Sequence, residues 1–203
     1  MKSLRTLWLF FQCKNPLKFI GGLKYLDPIN TDIYMNKINI KLYENGQEQM
    51  IYQLIRKVYD EFVSIDYSAE GNEFFYSWID PDKIAERQIN QPNLFVATIN
   101  SKIVGMIEIR NNNTISLLFV DKLYQGKGIA RKLFHKSLLH CSKINPNLDK
   151  FFVHASPYSI PVYKKLGFVE TDIMQVEHGI KYLPMEMGIS EYDMKNMLLY
   201  KSS

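Results

Sequence analysis

The residues whose types and spacing point most directly to chemistry are Gln125-Gly126-Lys127-Gly128-Ile129-Ala130, a loop between an apolar run and a helical pattern. Gly126 and Gly128 at the mouth of a helix let the backbone turn tightly and leave its amides uncovered. The first amides of a helix lack intrahelical partners and sit at the positive end of its dipole, so they favour a phosphate. The spacing narrows which phosphate. A Walker loop needs Gly, four residues, Gly-Lys and then Ser or Thr, and the chain has none. The dinucleotide fingerprint fails too, because Arg131 stands where its third Gly or Ala belongs. What remains is Gln125-x-x-Gly128-x-Ala130, which fits a pyrophosphate and equally a glycine-softened turn that binds nothing.

Flanking elements must position this loop. Thr114–Val120 is apolar and partly β-branched, as a largely buried strand is, and residues 121–124 break the run. Beyond the loop Ile129, Leu133, Phe134, Leu138 and Cys141 fall at helical spacing, which predicts a helix over 128–142. Upstream, Leu94–Ile99 and Lys102–Arg110 flank the tight turn Asn100-Ser101, and residues 111–113 turn the chain into the buried strand. A three-stranded antiparallel meander follows. Glu108 lies on its middle strand; by alternation it shares a face with Val104 and Met106, as an edge-exposed or a cleft carboxylate.

Ile38, Ile40 and Leu42 alternate as a half-buried first strand, and residues 47–63 carry one helical stripe from Ile51 to Phe62. Residues 67–71 read as a loop, Phe74, Phe75 and Trp78 as a short helix ending before Pro81, and residues 82–90 as a second. Downstream, residues 151–155 read as a strand and Ser156-Pro157 as a helix start. Residues 171–177 and 180–189 form a closing hairpin, in which Pro184 demotes the last strand to an edge or a bulge.

At 203 residues the chain is one domain, or one domain with an appendage. Its 46% hydrophobic and 23% charged content is ordinary for a soluble globular protein. The net charge of +4 suits a polyanionic ligand without demanding one, and no Lys/Arg stripe with interleaved aromatics indicates nucleic acid. Cys13 and Cys141 have neither metal nor disulfide spacing; Cys141 reads as a packed thiol and a reducing cytoplasm is the default. The apolar run at 7–11 is too short to span a membrane and no small-residue cleavage site follows, so no membrane partner is expected. Residues 1–36 read as an N-terminal extension, with Met35 a second candidate start, residues 37–190 as the domain and 191–203 as a polar tail.

Two motifs in order resemble the GNAT-type N-acetyltransferases. Gln125-x-x-Gly128-x-Ala130, directly after Leu118-Phe119-Val120, is similar to their coenzyme A pyrophosphate loop: Arg or Gln, two residues, Gly, one residue, Gly or Ala. Tyr163-Lys164-Lys165-Leu166-Gly167-Phe168 is similar to the end of their helix after the fifth strand, where Tyr is followed by three residues and Gly-Phe. Two such motifs, each on its expected element, are much harder to obtain by chance than either one. The chain is therefore identified as a member of that family over residues 38–189, of a bacterial type by its closing strand. The fold this implies is α/β (α+β), the GNAT acyl-CoA N-acyltransferase fold. A central mixed, mostly antiparallel sheet is flanked by helices on both faces, and its parallel fourth and fifth strands splay around a pantetheine arm.

The resemblance also implies roles. Backbone amides of Gln125, Gly126, Lys127, Gly128, Ile129 and Ala130 would hold the pyrophosphate of acetyl-CoA, the cosubstrate, with no metal. Backbone groups of Leu118, Phe119 and Val120 would pair with the pantetheine arm, one amide polarising the thioester carbonyl. Ser156 stands where the family often has an Asn that contacts the cofactor. Tyr163 would be the general acid that protonates the departing thiolate. An acceptor amine must arrive neutral, so a base is needed. Phe151 occupies the position where protein N-terminus acetylators carry a Glu. The candidates are then Glu108, His154, Glu70 and Glu186, or a water relay. The segment between the first helix and the second strand borders the acceptor cleft, which makes Glu70 and Phe75 candidate substrate contacts, while Phe74 and Trp78 read as packing. The expected function is acetyl transfer from acetyl-CoA to a primary amine of a small molecule or a protein, by a monomer or homodimer. The alternative is a GNAT-fold module that senses CoA or an acyl-CoA without turnover. The acceptor stays open among antibiotics, polyamines, amino acids and protein amines.

Overall fold

Apolar alternation and left-handed turn residues build the sheet of this protein, seen in a computed structural model that describes residues 38–189. The expected N-terminal extension over 1–36 and the tail over 191–203 lie outside the described residues. The elements run β1 (Asn39–Leu42), α1 (Glu48–Phe62), α2 (Ala69–Trp78), α3 (Pro81–Asn90), β2 (Leu94–Ile99), β3 (Lys102–Arg110) and β4 (Thr114–Val120). Then come α4 (Ile129–Ile144), β5 (Lys150–Ala155), α5 (Ile160–Leu166), β6 (Val169–Glu170), β7 (Gln175–Glu177) and β8 (Ile180–Gly188). Asn100 and Ser101, at φ 49° and 64°, supply the left-handed pair that closes a tight β2–β3 hairpin, and Asn111 and Asn112 turn β3 into β4 in the same conformation.

The sheet order is β1-β2-β3-β4-β5-β8-β6, with β7 also paired to β8. All pairings are antiparallel except β4–β5, which the α4 crossover makes parallel. Each face of the sheet has its own apolar layer. Leu133, Phe134 and Leu138 of α4 pack on Phe95, Ile107 and Phe151, while Ile51 and Ile55 of α1 and Ile84 of α3 pack on Val96 and Met106 opposite. Helices on both faces are thus what the sheet's two apolar sides require. Cys141 is fully buried in the first layer, and burial pushes its thiol up to about 12. No helix among the described residues is long and apolar enough to cross a membrane.

Two bulges break the simple alternation. In β3, Ala97 faces Gly105 but Thr98 faces Ile103, so Val104 is the extra residue. Val104 therefore joins the α4 layer and Met106 the α1 layer. Glu108 shares a face with Met106 only, and it is neither edge-exposed nor a cleft carboxylate. It is 1% exposed and clamped by Arg87 of α3, with Nε to Oε1 at 2.9 Å and Nη2 to Oε2 at 3.1 Å, while Gln88 Nε2 adds a bond at 2.7 Å. Burial of a carboxylate needs just such charge-assisted, bidentate pairing. In β4, Ile109 faces Ile115 but Glu108 faces Leu117, which leaves Ser116 as a second extra residue.

Three local expectations are corrected. The loop read over 67–71 ends at Ser68, whose Oγ accepts from Gly71 N at 3.1 Å and so starts α2 at Ala69. The closing hairpin is only β7–β8, since the chain before it forms the separate short strand β6. Pro184 does not put β8 at an edge: β8 lies between β5 on one side and β6 and β7 on the other. The Pro184 carbonyl accepts from Thr171 N at 3.0 Å on the β6 side. The N–H that proline lacks would point the same way, into the gap where β6 has ended and β7 has not begun.

Removing one partner of the buried pair strands the other. Arg87→Ala is expected to cost about 3–5 kcal/mol of stability, and Arg87→Met/Glu108→Leu clearly less. Urea unfolding measures both; an Arg87→Ala loss no larger than that of the double variant would contradict the assigned role.

Candidate active site

The second bulge opens a cleft. Strands β4 and β5 pair only at Thr114 with Phe152 and Ile115 with Val153; beyond the extra residue Ser116 they part. The opening holds a cavity of about 500 Å³ with Ser116 to Val120 on one wall and His154 and Ser156 on the other. Asp121 N donates to Val104 O at 2.9 Å, which sets the phase of the β3–β4 ladder. By the alternation of that ladder, the backbone of Phe119 turns to β3 while those of Leu118 and Val120 turn into the opening. Val120 O accepts from Gln125 Nε2 at 3.0 Å, so the Leu118 amide and carbonyl and the Val120 amide are the groups left facing the cleft. Phe119 contributes its ring, which leans on Phe75 at 6.1 Å.

At the end of β4 the chain is anchored before it enters the glycine loop. Asp121 accepts from Leu123 N and from Lys57 Nζ, each at 3.0 Å. Burial pushes its carboxyl up, but the Leu123 amide and the Lys57 ammonium outweigh that and hold it below the usual carboxylate range. Gly126 and Gly128 follow at φ 74° and 77°, and nothing stands within 4 Å of where a side chain would begin on either. Among the described residues the amides from Gly126 to Arg131 donate to no backbone acceptor; the first that does is Lys132 N, to Gly128 O at 3.1 Å. Uncovered amides at the start of a 16-residue helix form a concave positive site for an anion.

Gln125, Gly126, Gly128, Ile129 and Ala130 line the cleft. Lys127 does not, because its ammonium turns over the Tyr124 ring at 5.2 Å, leaving only its backbone to the loop. Arg131 and Lys165 also line this end, joined by Arg131 Nη2 donating to Lys165 O at 3.2 Å. Sequence reading missed both. Arg131 had a signal, its place one turn into α4 on the glycine side, but Lys165 had none until α5 was docked.

Tyr163 lines the opposite wall at 5% exposure. The Tyr-x-x-x-Gly-Phe spacing has a local cause. Gly167, at φ 98°, ends α5 with its amide donating to Lys164 O at 3.1 Å, and Phe168 N returns to Tyr163 O at 3.0 Å. The Tyr163 and Phe168 rings then meet edge to face at 5.5 Å, which fixes the phenol's direction. Burial pushes that phenol above the ordinary tyrosine value, with a smaller push from Tyr67, so it keeps its proton through neutral pH.

Of the four side chains considered as bases, only His154 borders the cavity. Its ring stacks on Tyr182 at 4.0 Å, and the single Tyr182 hydroxyl proton is shared between Gln175 Oε1 at 3.0 Å and Glu177 Oε2 at 3.1 Å. Burial and the Arg110 guanidinium lower the His154 imidazole against a smaller opposing pull from Glu177, so it is mostly neutral at pH 7. Glu108 is taken by Arg87, Glu186 pairs with Lys150 at 2.9 Å, and Glu70 is exposed on the first turn of α2 outside the lining. Phe75 does line the cavity, stacked on Tyr59 at 3.9 Å, and Trp78 packs under Arg87 as expected. Ser156 lines it too and donates to Ser159 Oγ at 3.0 Å. Tyr59, Val63, Tyr67 and Tyr158 are lining residues that the sequence reading left in the core or unassigned. Tyr158 stacks on Phe62 at 4.6 Å and reaches Gln125 Oε1 at 3.1 Å, which joins α1 to the glycine loop across the cleft.

The family described as Acetyltransferase (GNAT) domain matches residues 63–189. No curated protein matches the chain. Among solved structures, a GCN5-related N-acetyltransferase (aminotransferase, class-II) from Rhodopseudomonas palustris superposes with a TM-score of 0.64 at 19% identity, covering 76% of this chain and 98% of that one. The PaiA N-acetyltransferase of Thermoplasma acidophilum, in complex with coenzyme A, gives 0.61 at 18% identity over 75% of this chain and 99% of its own. The ribosomal-protein-S18-alanine N-acetyltransferase of Escherichia coli gives 0.54 at 19% identity over 76% and 95%. At such identities these three likenesses concern the fold alone.

A lowered imidazole has a direct readout. The His154 ring signal, followed by NMR, is expected to titrate below the ordinary histidine value of about 6.5, and Arg110→Ala is expected to move it upward. A wild-type midpoint at or above the ordinary value would remove His154 as a neutral proton acceptor at pH 7.

Proposed function

The chain belongs to the GNAT acetyltransferase family, whose domain matches residues 63–189, and from that premise we propose that it moves an acetyl group from acetyl-CoA onto a primary amine by direct attack in a ternary complex. One observation carries the proposal. The uncovered amides from Gly126 to Arg131 open onto the same cleft that Leu118 and Tyr163 border from its two walls. The open space at Gly126 and Gly128 suits a pyrophosphate, and Arg131 and Lys165 add positive charge beside it. The pantetheine arm would then run between β4 and β5, where the strands have parted and the Leu118 backbone faces inward.

In the reaction the neutral amine nitrogen bonds to the thioester carbon. The oxygen of the tetrahedral intermediate takes a hydrogen bond from the Leu118 amide, a donor already aimed before the charge develops. The nitrogen gives up one proton to His154, directly or through water. The carbon–sulfur bond breaks, and the thiolate leaves with its electron pair and takes a proton from Tyr163. His154 returns its proton to Tyr163, so amine and acetyl-CoA become amide and free CoA thiol with no net proton change. Ordinary phenol and thiol values of about 10 and 8.5 make the Tyr163 transfer uphill by roughly 2 kcal/mol. Burial raises the phenol, and it also raises a thiol held in the same cleft, so desolvation does not by itself widen that gap.

Two substitutions test this reading. Tyr163→Phe keeps the ring that packs on Phe168 and removes only the hydroxyl that supplies the proton; turnover is expected to fall about 10²-fold or more with acetyl-CoA affinity nearly unchanged. A parallel loss of both would make the tyrosine structural. Gly128→Asp places a side chain at a left-handed position and a negative charge in the anion cradle, and should weaken acetyl-CoA binding at least about tenfold by calorimetry. Unaltered affinity would refute the loop as the pyrophosphate site.

A further inference from the structure

We infer that the acceptor is a monoamine carried on an aromatic or otherwise apolar body, an inference that rests on the acetyl-transfer reading above. Away from the glycine loop the cavity is lined by Val58, Tyr59, Val63, Tyr67, Phe75 and Phe119. Their rings form a fixed surface. Tyr59 and Phe75 lie nearly parallel, 9° apart with centroids at 3.9 Å, and Phe75 is tilted by 54° onto Phe119. The Tyr59 hydroxyl is engaged by Asn72 Oδ1 at 2.6 Å, which holds the ring in place. Tyr59 itself is fully buried and backs Phe75, so the ring surface open to the cavity is that of Phe75, Tyr67 and Phe119, each only partly buried. Flat faces fixed in this way suit another ring or an alkyl chain, since aromatic pairs gain from offset or edge-on contact beyond the area they bury.

The charges point the same way. Arg131 and Lys165 are the full cations lining the cavity, and both stand at the glycine end. Among the described residues no Asp or Glu lines it, and the carboxylate on the neighbouring strand, Glu108, is bound by Arg87 and Gln88. A second ammonium carried in by a polyamine or an aminoglycoside would shed its water against ring faces without a carboxylate to receive it. A single amine is treated differently. Desolvation among these rings lowers its pKa and yields the neutral form that attack requires, and it has His154 nearby to take the proton.

The test is a thiol-release assay with saturating acetyl-CoA and a panel of 2-phenylethylamine, tryptamine, spermidine, kanamycin and a short peptide with a free N-terminus. The expected result is a kcat/KM for an aromatic monoamine at least about tenfold above each of the other three. Equal or greater preference for spermidine, kanamycin or the peptide overturns the inference and leaves acetyl transfer standing. Where no amine turns over, the same amines are titrated into the protein–CoA complex: tighter binding of 2-phenylethylamine than of spermidine upholds the inference, and equal or weaker binding overturns it. Failure of CoA itself to bind would instead sink the acetyl-transfer reading and the inference with it. Phe75→Leu keeps the bulk and removes the flat face, so it should raise the KM for 2-phenylethylamine about tenfold while leaving that for acetyl-CoA unchanged. An equal rise in both would mean that Phe75 serves the fold and not the acceptor.

Discussion

The structure turns on one extra residue in one strand. Ser116 has no partner opposite it in β3, and from that point β4 bends away from β5 after only two paired positions. A parallel pair that stayed in register to the end of β4 would hold its backbone groups in ladder bonds and leave no room between the strands. Because the pair parts, Leu118 keeps an amide and a carbonyl turned inward, and the cavity has a wall made of backbone. Everything proposed about the cleft depends on that separation, since it determines both where an arm can lie and which polar groups can meet it.

A second constraint is the need to end β4 and start α4 without covering the amides between them. Asp121 secures the near side by taking Leu123 N and Lys57, and Gly128 starts the helix from a left-handed conformation that leaves the space in front open. The amides from Gly126 to Arg131 then have no backbone acceptor among the described residues, although buried or crowded amides are nearly always paired. Solvent can satisfy them, and so can an anion. Arg131 and Lys165 tilt that choice toward the anion.

Polar groups elsewhere show the opposite solution. Glu108 could have been a cleft carboxylate by residue type, but it lies under α3 and needs Arg87 and Gln88 to be tolerated there. It keeps the face it shares with Met106; what the bulge changes is the face of Val104, a residue whose own apolar character gives no sign of it. Tyr163 illustrates the reverse. A conformational demand of the helix end, met by Gly167, and the return of Phe168 N to its carbonyl place the phenol in the cleft, so a short local motif carries a tertiary position.

The sequence by itself determined the order and type of nearly every element. Strand alternation, the helical stripe from Ile51 to Phe62, the asparagine turns and the glycine loop are all local signals, and β2, β3 and β4 have the expected bounds. The loop and Tyr163 were legible for the same reason: glycine at φ 74°, 77° and 98° is a requirement of the backbone itself. Only the tertiary structure decided which side chains share the cavity. Tyr59 and Phe75 read as one stripe and one short helix until α1 and α2 met, Lys165 until α5 docked, and Glu108 until α3 brought Arg87 and Gln88 over it. Local propensity reports on a few neighbouring residues, whereas a cavity is enclosed by elements far apart in the chain, so its lining exists only after they have packed.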